Sequence, residues 1–327
     1  MSNGAGTDGA GPVSAPRGML QWLGVCLRGS AMGVAELVPG VSGGTIAFVT
    51  GIYLELVQSL YRFDGQLLAY AARFQIALAW RHVNASFLLA LAVGMGVAVV
   101  SFSGVVAWLF EHHEIGLWSF FFGLICASAA FVARSVGVWD SIRLAFALAG
   151  LIIGAAVSNA GGLPASEHPA VTFAAGAVAI CAWILPGVSG SFMLLLLGQY
   201  QHVIRSIAAF DLVVIGSLAA GCFVGLALFT RALAWLLRMH FASTLAFLCG
   251  FMVGSLQKLW PWRQTLSYYL DSRGDAIPVN VKPIAPAQFE ALYGEDPMVL
   301  SAIVACSMGL ALVMVLDVVS RLGARET

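Results

Sequence analysis

Two serines stand where an apolar chain would be expected to run on without interruption. Ser42 and Ser189 each lie in the same five residues, Pro-Gly-Val-Ser-Gly, at 39–43 and 186–190, and are followed by Gly44-Thr45 and by Ser191. Proline ends a helix and the flanking glycines let the backbone reverse, so each motif opens a new helical turn. Such a start carries unpaired N–H groups and the positive end of the peptide dipoles, and hydroxyls add donors without bulk. That chemistry suits an anion such as a phosphate, with Ser42, Gly43, Gly44, Thr45, Ser189, Gly190 and Ser191 as candidate ligands. The alternative use of the same residues is to cap the two half-helices and nothing more.

Glu36 stands one turn before the first motif, inside the otherwise apolar stretch 32–38. A carboxylate at membrane depth costs several kcal/mol unless it is protonated, paired or wet. It is therefore the candidate for ion coupling, to a proton or sodium, against the plainer role of a hydrogen bond to nearby backbone. Arg28, Glu55, Gln58, Arg62 and Arg205 fall toward the open ends of the interrupted segments, where a guanidinium could draw in an anionic headgroup. Arg205 is the strongest of these for phosphate, because it stands on an arginine-poor side. The other arginines fit cytoplasmic anchoring.

Gly-Val-Ser-Gly also matches the Gly-x-Ser-Gly signature of rhomboid intramembrane proteases. A serine nucleophile needs a base within hydrogen-bond reach, and His82, His112, His113, His168, His202 and His240 all fall in loops or at span ends. No catalytic residue is assigned on this basis. A membrane-embedded enzyme using Ser42 or Ser189, as a lipid phosphatase or in protease-like fashion, stays as an alternative, and so does a small-anion channel. The six cysteines lie in apolar stretches without Cys-x-x-Cys or Cys/His spacing, so neither metal nor cofactor is expected.

These residues are held by a chain of 327 residues that is 60% hydrophobic and 10% charged, with a mean hydropathy of +0.90. That is bilayer material, and a net charge of zero excludes the basic excess of a nucleic-acid binder. Residues 1–17 read as a disordered cytoplasmic tail. Six ordinary spans of roughly 20 residues fall at 87–110, 117–134, 142–160, 211–235, 243–260 and 299–320. Two further apolar regions, 28–60 and 170–206, are cut by the motif and read as re-entrant hairpins. In hydrocarbon such a break is tolerated only where it lines a cavity or is covered by protein.

The halves align without gaps in two blocks. At an offset of 147 the first motif falls on the second, with Gly51, Tyr53 and Ser59 on Gly198, Tyr200 and Ser206; Glu36 falls on Trp183. At an offset of 127, Gly94, Trp108, Gly123 and Ser128 fall on Gly221, Trp235, Gly250 and Ser255. The polar loop 61–86 accounts for the difference. Repeat 1 then spans 18–160 and repeat 2 spans 170–327, each a hairpin plus three spans. Three is odd, so the second repeat is inverted. With loop 61–86 inside, eleven basic residues lie inside and five outside, among them Arg205, Lys258 and Arg263. Both termini are then cytoplasmic and 261–298 is an outside loop, in the pattern of inverted-repeat transporters. The expected fold is an all-α polytopic membrane protein.

The stretch Glu36-Leu37-Val38-Pro39-Gly40-Val41-Ser42-Gly43-Gly44-Thr45, followed by Gly51-Ile52-Tyr53 and later by Leu185-Pro186-Gly187-Val188-Ser189-Gly190-Ser191, resembles the DUF368 membrane proteins. The resemblance covers nearly the whole chain after residue 17. That family is identified with undecaprenyl phosphate translocases, and the resemblance implies recycling of the C55 carrier lipid of cell-wall synthesis. The implied function is a flippase moving the lipid from the outer to the cytoplasmic leaflet of a bacterial inner membrane. The partners implied are a polyprenyl phosphate lipid, a coupling ion and membrane lipids, with no nucleic acid; a homo-oligomer is left open. The second motif has Ser191-Phe192 where the first has Gly44-Thr45, so the two turns differ as phosphate ligands.

Overall fold

The computed structural model describes residues 18–37, 41–159, 166–187, 189–270 and 276–323. The expected tail 1–17 lies outside these residues, as do Pro39, Gly40 and Val188 of the two motifs. The first part of the chain runs through α1 (Met19–Glu36), α2 (Gly43–Val49), α3 (Tyr53–Tyr61), α4 (Gly65–Ala72), α5 (Ile76–His82), α6 (Ala85–His112), α7 (Glu114–Val136) and α8 (Ser141–Asn159). The second runs through α9 (Pro169–Ile184), α10 (Gly190–Leu196), α11 (Tyr200–Ala208), α12 (Leu212–Met239) and α13 (Phe241–Ser255), which a 3-10 turn, Leu256–Leu259, prolongs. Then come β1 (Arg263–Leu270), β2 (Ala276–Pro283), α14 (Pro286–Tyr293) and α15 (Val299–Gly323).

Local chemistry fixes several boundaries. Asp64 accepts from the N–H groups of Gln66 and Leu67 to start α4, and Asp211 does the same for Val213 and Val214 at α12. Pro169 opens α9, where its missing N–H costs nothing. Gly51 and Gly198, both at positive φ, stop α2 and α10 after seven residues each.

Five helices among the described residues are long and apolar enough to span a bilayer: α6, α7, α8, α12 and α13 with its 3-10 turn. α15 is apolar over Val299–Val315, and α9 is a shorter apolar helix. The chain is a polytopic, mainly helical membrane protein. α7 and α13 are the most buried of the five spans and lie against each other; α8 packs on α13 and α15 packs on α7. Beside this core α1 packs on α6, and α9 on α12.

Glycines bring these pairs close. A Cβ on Gly123 would come within 2.1 Å of the Cys306 carbonyl oxygen, and one on Gly250 within 1.9 Å of that of Ala147. Lipid offers no hydrophobic drive between helices, so close backbone approach and dispersion hold such pairs together.

Two segments expected as loops are folded. Within 61–86, α4 and α5 bury no residue; Leu68, Phe74, Ile76 and Trp80 face outward beside Arg73 and Arg81. An apolar and cationic surface of this kind satisfies itself at headgroup depth, which a polarity count over the segment hides. Within 261–298, β1 and β2 form an antiparallel hairpin with Arg263 opposite Pro283 and Tyr269 opposite Ile277. Trp262 and Ile284 pack with Ala302 beneath it. Arg263 lies 3.9 Å over the Trp118 ring and donates to Glu114 at 2.9 Å, so the hairpin is clamped to the start of α7. Apart from this two-stranded sheet the described residues form the helical fold that was expected.

Candidate functional site

The two interrupted segments meet. Ser42 is fully buried; its hydroxyl donates to the Leu185 carbonyl at 3.0 Å and accepts from the Gly44 N–H at 3.1 Å, capping α2. One turn on, the buried Thr45 hydroxyl oxygen accepts from the Gly187 N–H at 3.0 Å. Residues more than 140 positions apart in the chain are thus joined by side chain to backbone in both directions. Buried backbone groups freed by a helix break must be satisfied somewhere. Here the hydroxyls of the first break satisfy backbone groups of the second, while the first break's own N–H groups at Gly43 and Gly44 go to Glu36 and Ser42.

Glu36 closes the first break from the other side. It is the last residue of α1, and its carboxylate accepts from the Gly43 N–H, the first of α2, at 2.8 Å. The Trp183 side chain lies beside it. Residues 36 and 183, which the 147-residue offset matches, therefore face one another. The glycines leave room for this: a Cβ on Gly43 would sit 2.9 Å from the Glu36 carboxylate, and one on Gly44 would sit 2.8 Å from the Ile184 carbonyl oxygen.

The second break is built differently. Gly187 adopts φ +95 against Met252, a region that strains any side chain. Ser189 is fully buried but does not cap α10; its hydroxyl instead pairs with that of Ser191 at 2.7 Å. Gly190 passes the Ala179 carbonyl and the Trp183 side chain.

The structure thus gathers Glu36, Ser42, Gly43, Gly44 and Thr45 around the second break, with Ser189, Gly190 and Ser191 next along the chain. Arg205 and the secondary candidates Arg28, Glu55, Gln58 and Arg62 stand on or at the end of α11, α1 and α3. Glu55 accepts from Asn84 at 2.9 Å and Arg62 donates to the His82 carbonyl at 3.2 Å, and both tie α3 to the junction of α5 and α6. Gln58 is exposed on α3, Arg28 is half-buried on α1 two turns before Glu36, and Arg205 is exposed on α11.

Neither serine is set up as a nucleophile. Ser42 gives its proton to a carbonyl and Ser189 shares one with Ser191, whereas an activated serine donates to a base. Among the described histidines, His82 pairs with Asp64, His112 with the Trp108 carbonyl, and His168 with the Ala170 N–H.

One contact and one side-chain setting went unread in the sequence. Thr45 was expected as a ligand, and its bond to the opposite break has no local signal. Lys258, counted as an outside loop charge, lies half-buried on the 3-10 turn after α13 with its ammonium 4.4 Å over the Phe192 ring of α10. Its signal was a lysine inside the apolar segment 243–260.

The chain is similar to known proteins over most of its length. A family model described as VCA0040-like, undecaprenyl phosphate translocase-like, matches residues 32–277, which include both breaks. A protein of Vibrio cholerae named polyprenyl-phosphate transporter is 39% identical over 298 residues, covering 91% of this chain and 97% of its own. A Staphylococcus aureus protein of the same name is 30% identical over 259 residues, covering 74% of this chain and 87% of its own. No solved structure matches the chain. With the family model over most of the chain and a relative aligned almost end to end, this chain belongs to the undecaprenyl phosphate translocase-like family.

Proposed function

We propose that this chain is a transporter that carries a polyprenyl phosphate, of the undecaprenyl class, from the outer to the cytoplasmic leaflet of a bacterial inner membrane. The observation that carries the proposal is the crossing of two interrupted segments, hydrogen-bonded to each other beside a buried carboxylate. The names of the relatives, which are transporters, support the substrate class and weigh against an enzyme.

In this reading the two parts of the chain are inverted repeats, each with a re-entrant hairpin, and both termini are cytoplasmic. Paired helix lengths support it: seven residues for α2 and α10, nine for α3 and α11, and 28 for α6 and α12. The junctions α6–α7 and α12–α13 also turn at a histidine with nearly the same backbone angles, His113 and His240.

The phosphate is held by Ser42, Gly43, Gly44, Thr45, Ser189, Gly190 and Ser191, and Arg205 draws it in. The Gly43 N–H cannot serve a phosphate while it serves Glu36. A proton or sodium ion on the carboxylate weakens its hold on that N–H and lets the phosphate compete, which couples the ion to the lipid. The polyprenyl tail stays in the bilayer.

The test is purified protein in liposomes, scored for transbilayer movement of undecaprenyl phosphate with and without proton or sodium gradients. Movement that responds to one gradient is expected. Absence of movement under every condition would remove the proposal.

A further inference from the structure

The two breaks carry opposite chemistry at places that the sequence offsets relate. In the first, Glu36 stands where the second has Trp183. In the second, Lys258 stands where the first, at the 127-residue offset, has Phe131. One break is provided with an acid and the other with a cation.

The setting of Lys258 is unusual for a membrane-embedded lysine. It makes no ion pair among the described residues, and its ammonium rests instead on the face of Phe192, which is itself buried. The charge acting on it, that of Arg263, has the same sign. Arg263 is neutralised by Glu114, whereas Lys258 is not. An ammonium held by a ring face alone keeps its hydrogen-bonding capacity for a stronger acceptor.

Its position relative to the second break follows from helix geometry. Ser255 lies against Gly187, at 3.1 Å from where a Cβ there would be. Lys258 is three residues on, at the 3-10 turn, where residues i and i+3 share a face. Its ring partner Phe192 directly follows Ser191, whose hydroxyl pairs with Ser189. The segment 255–258 thus touches both ends of the second break, Gly187 through Ser255 and α10 through the Phe192 ring under Lys258, and the paired hydroxyls stand between those two contacts in the chain.

We infer that Lys258 is the cation that receives the phosphate monoester of the transported lipid, leaving the Phe192 face for it, with Ser189 and Ser191 supplying hydroxyls. This rests on the proposed transport of a polyprenyl phosphate and adds the residue that distinguishes the charged headgroup from the free alcohol. It also gives the shared phosphate site a cation on the side of the second break, while the coupling ion is taken up by Glu36 of the first.

The test uses the full-length protein in detergent, with undecaprenyl phosphate, undecaprenol and inorganic phosphate as ligands. Lys258→Gln is expected to bind undecaprenyl phosphate about ten- to a hundred-fold more weakly, the scale of one charge-assisted hydrogen bond. Lys258→Arg should keep most of the affinity, and undecaprenol should bind both variants as it binds the parent. Equal binding of undecaprenyl phosphate by the parent and Lys258→Gln would overturn the inference. Loss confined to inorganic phosphate would assign the cation to the free anion and overturn the lipid assignment.

A parent protein that does not distinguish undecaprenyl phosphate from undecaprenol would instead refute the proposed function, whatever Lys258 does. A readout free of substitution comes from the chain having two lysines, Lys258 and Lys282. Acylation of Lys258 in the parent protein, followed by mass spectrometry, should slow several-fold with undecaprenyl phosphate and not with undecaprenol, with Lys282 as internal control. Unchanged labelling would count against the inference even if Lys258→Gln failed to fold.

Discussion

Replacing Thr45 by valine tests whether the crossing of the breaks holds the molecule together. Valine keeps the branched shape at a site with no solvent exposure and removes only the hydroxyl oxygen that accepts from the Gly187 N–H at 3.0 Å. That donor is then left buried without this partner, which costs about 1–3 kcal/mol. Ser42→Ala removes a helix cap worth about 1 kcal/mol and also the donor to the Leu185 carbonyl.

Because the two hydroxyls bridge the same pair of breaks one turn apart, their effects should not add. The coupling between neighbours in one network runs to about 0.5–3 kcal/mol. Thermal unfolding of the purified protein in detergent, followed by tryptophan fluorescence, should show Thr45→Val melting several degrees below the parent. The double variant should melt above the temperature that the two single losses would give if summed. A Thr45→Val protein that melts with the parent and transports at the parental rate would refute the claim that the first break supports the second.

Glu36→Gln keeps an oxygen that can accept from Gly43 but cannot take up a proton or pair with a cation. Transport in liposomes should persist at a reduced rate and lose its response to the driving gradient; full gradient dependence would exclude Glu36 from coupling. Ser189→Ala removes no helix cap, so melting should change little while affinity for undecaprenyl phosphate falls several-fold, and unchanged affinity would leave Ser189 a packing residue. On the short helices outside the spans, burial alone would raise the Asp64 carboxyl. The N–H groups of Leu67 and Gln66 and the His82 side chain outweigh it and hold the group below its ordinary range. A depressed carboxyl stabilises above its unfolded pKa and loses that contribution as pH falls through the folded one. Hydrogen exchange across 65–82 should therefore be slower in the parent than in Asp64→Asn at neutral pH, and the difference should vanish in acid; a difference independent of pH would contradict this assignment.

What the sequence made legible was whatever is written over short distances. Spans follow from apolar length, and the breaks follow from Pro-Gly next to Ser-Gly. Glu36 follows from a charge among Met32, Val34 and Leu37. The bond from Thr45 to Gly187 joins residues 142 apart and depends on how two turns cross, which no window along the chain contains. Lys258 was visible as a charge, but its meaning lies in the ring beneath it, contributed by α10. In β2, Ile277, Val279 and Val281 alternate in the manner of a strand, a signal obscured by Pro278 and Pro283. The short helices α4 and α5 were hidden for another reason: their apolar residues face outward.

The pairing of α7 with α15 and of α8 with α13 has a mechanical consequence. Each pair takes one helix from the first part of the chain and one from the second, and α7 and α13 join the pairs into a four-helix frame. A swing of the N-terminal part against the C-terminal part would tear both glycine-tight seams, Gly123 against Cys306 and Gly250 against Ala147. The bodies that can shift without breaking those seams are composite: the shared frame on one hand, and the flanking pairs α1 with α6 and α9 with α12 on the other. The boundary between the two parts of the chain therefore does not coincide with a seam in the packing, and the second break leans on the frame as well, with Gly187 against Met252 of α13.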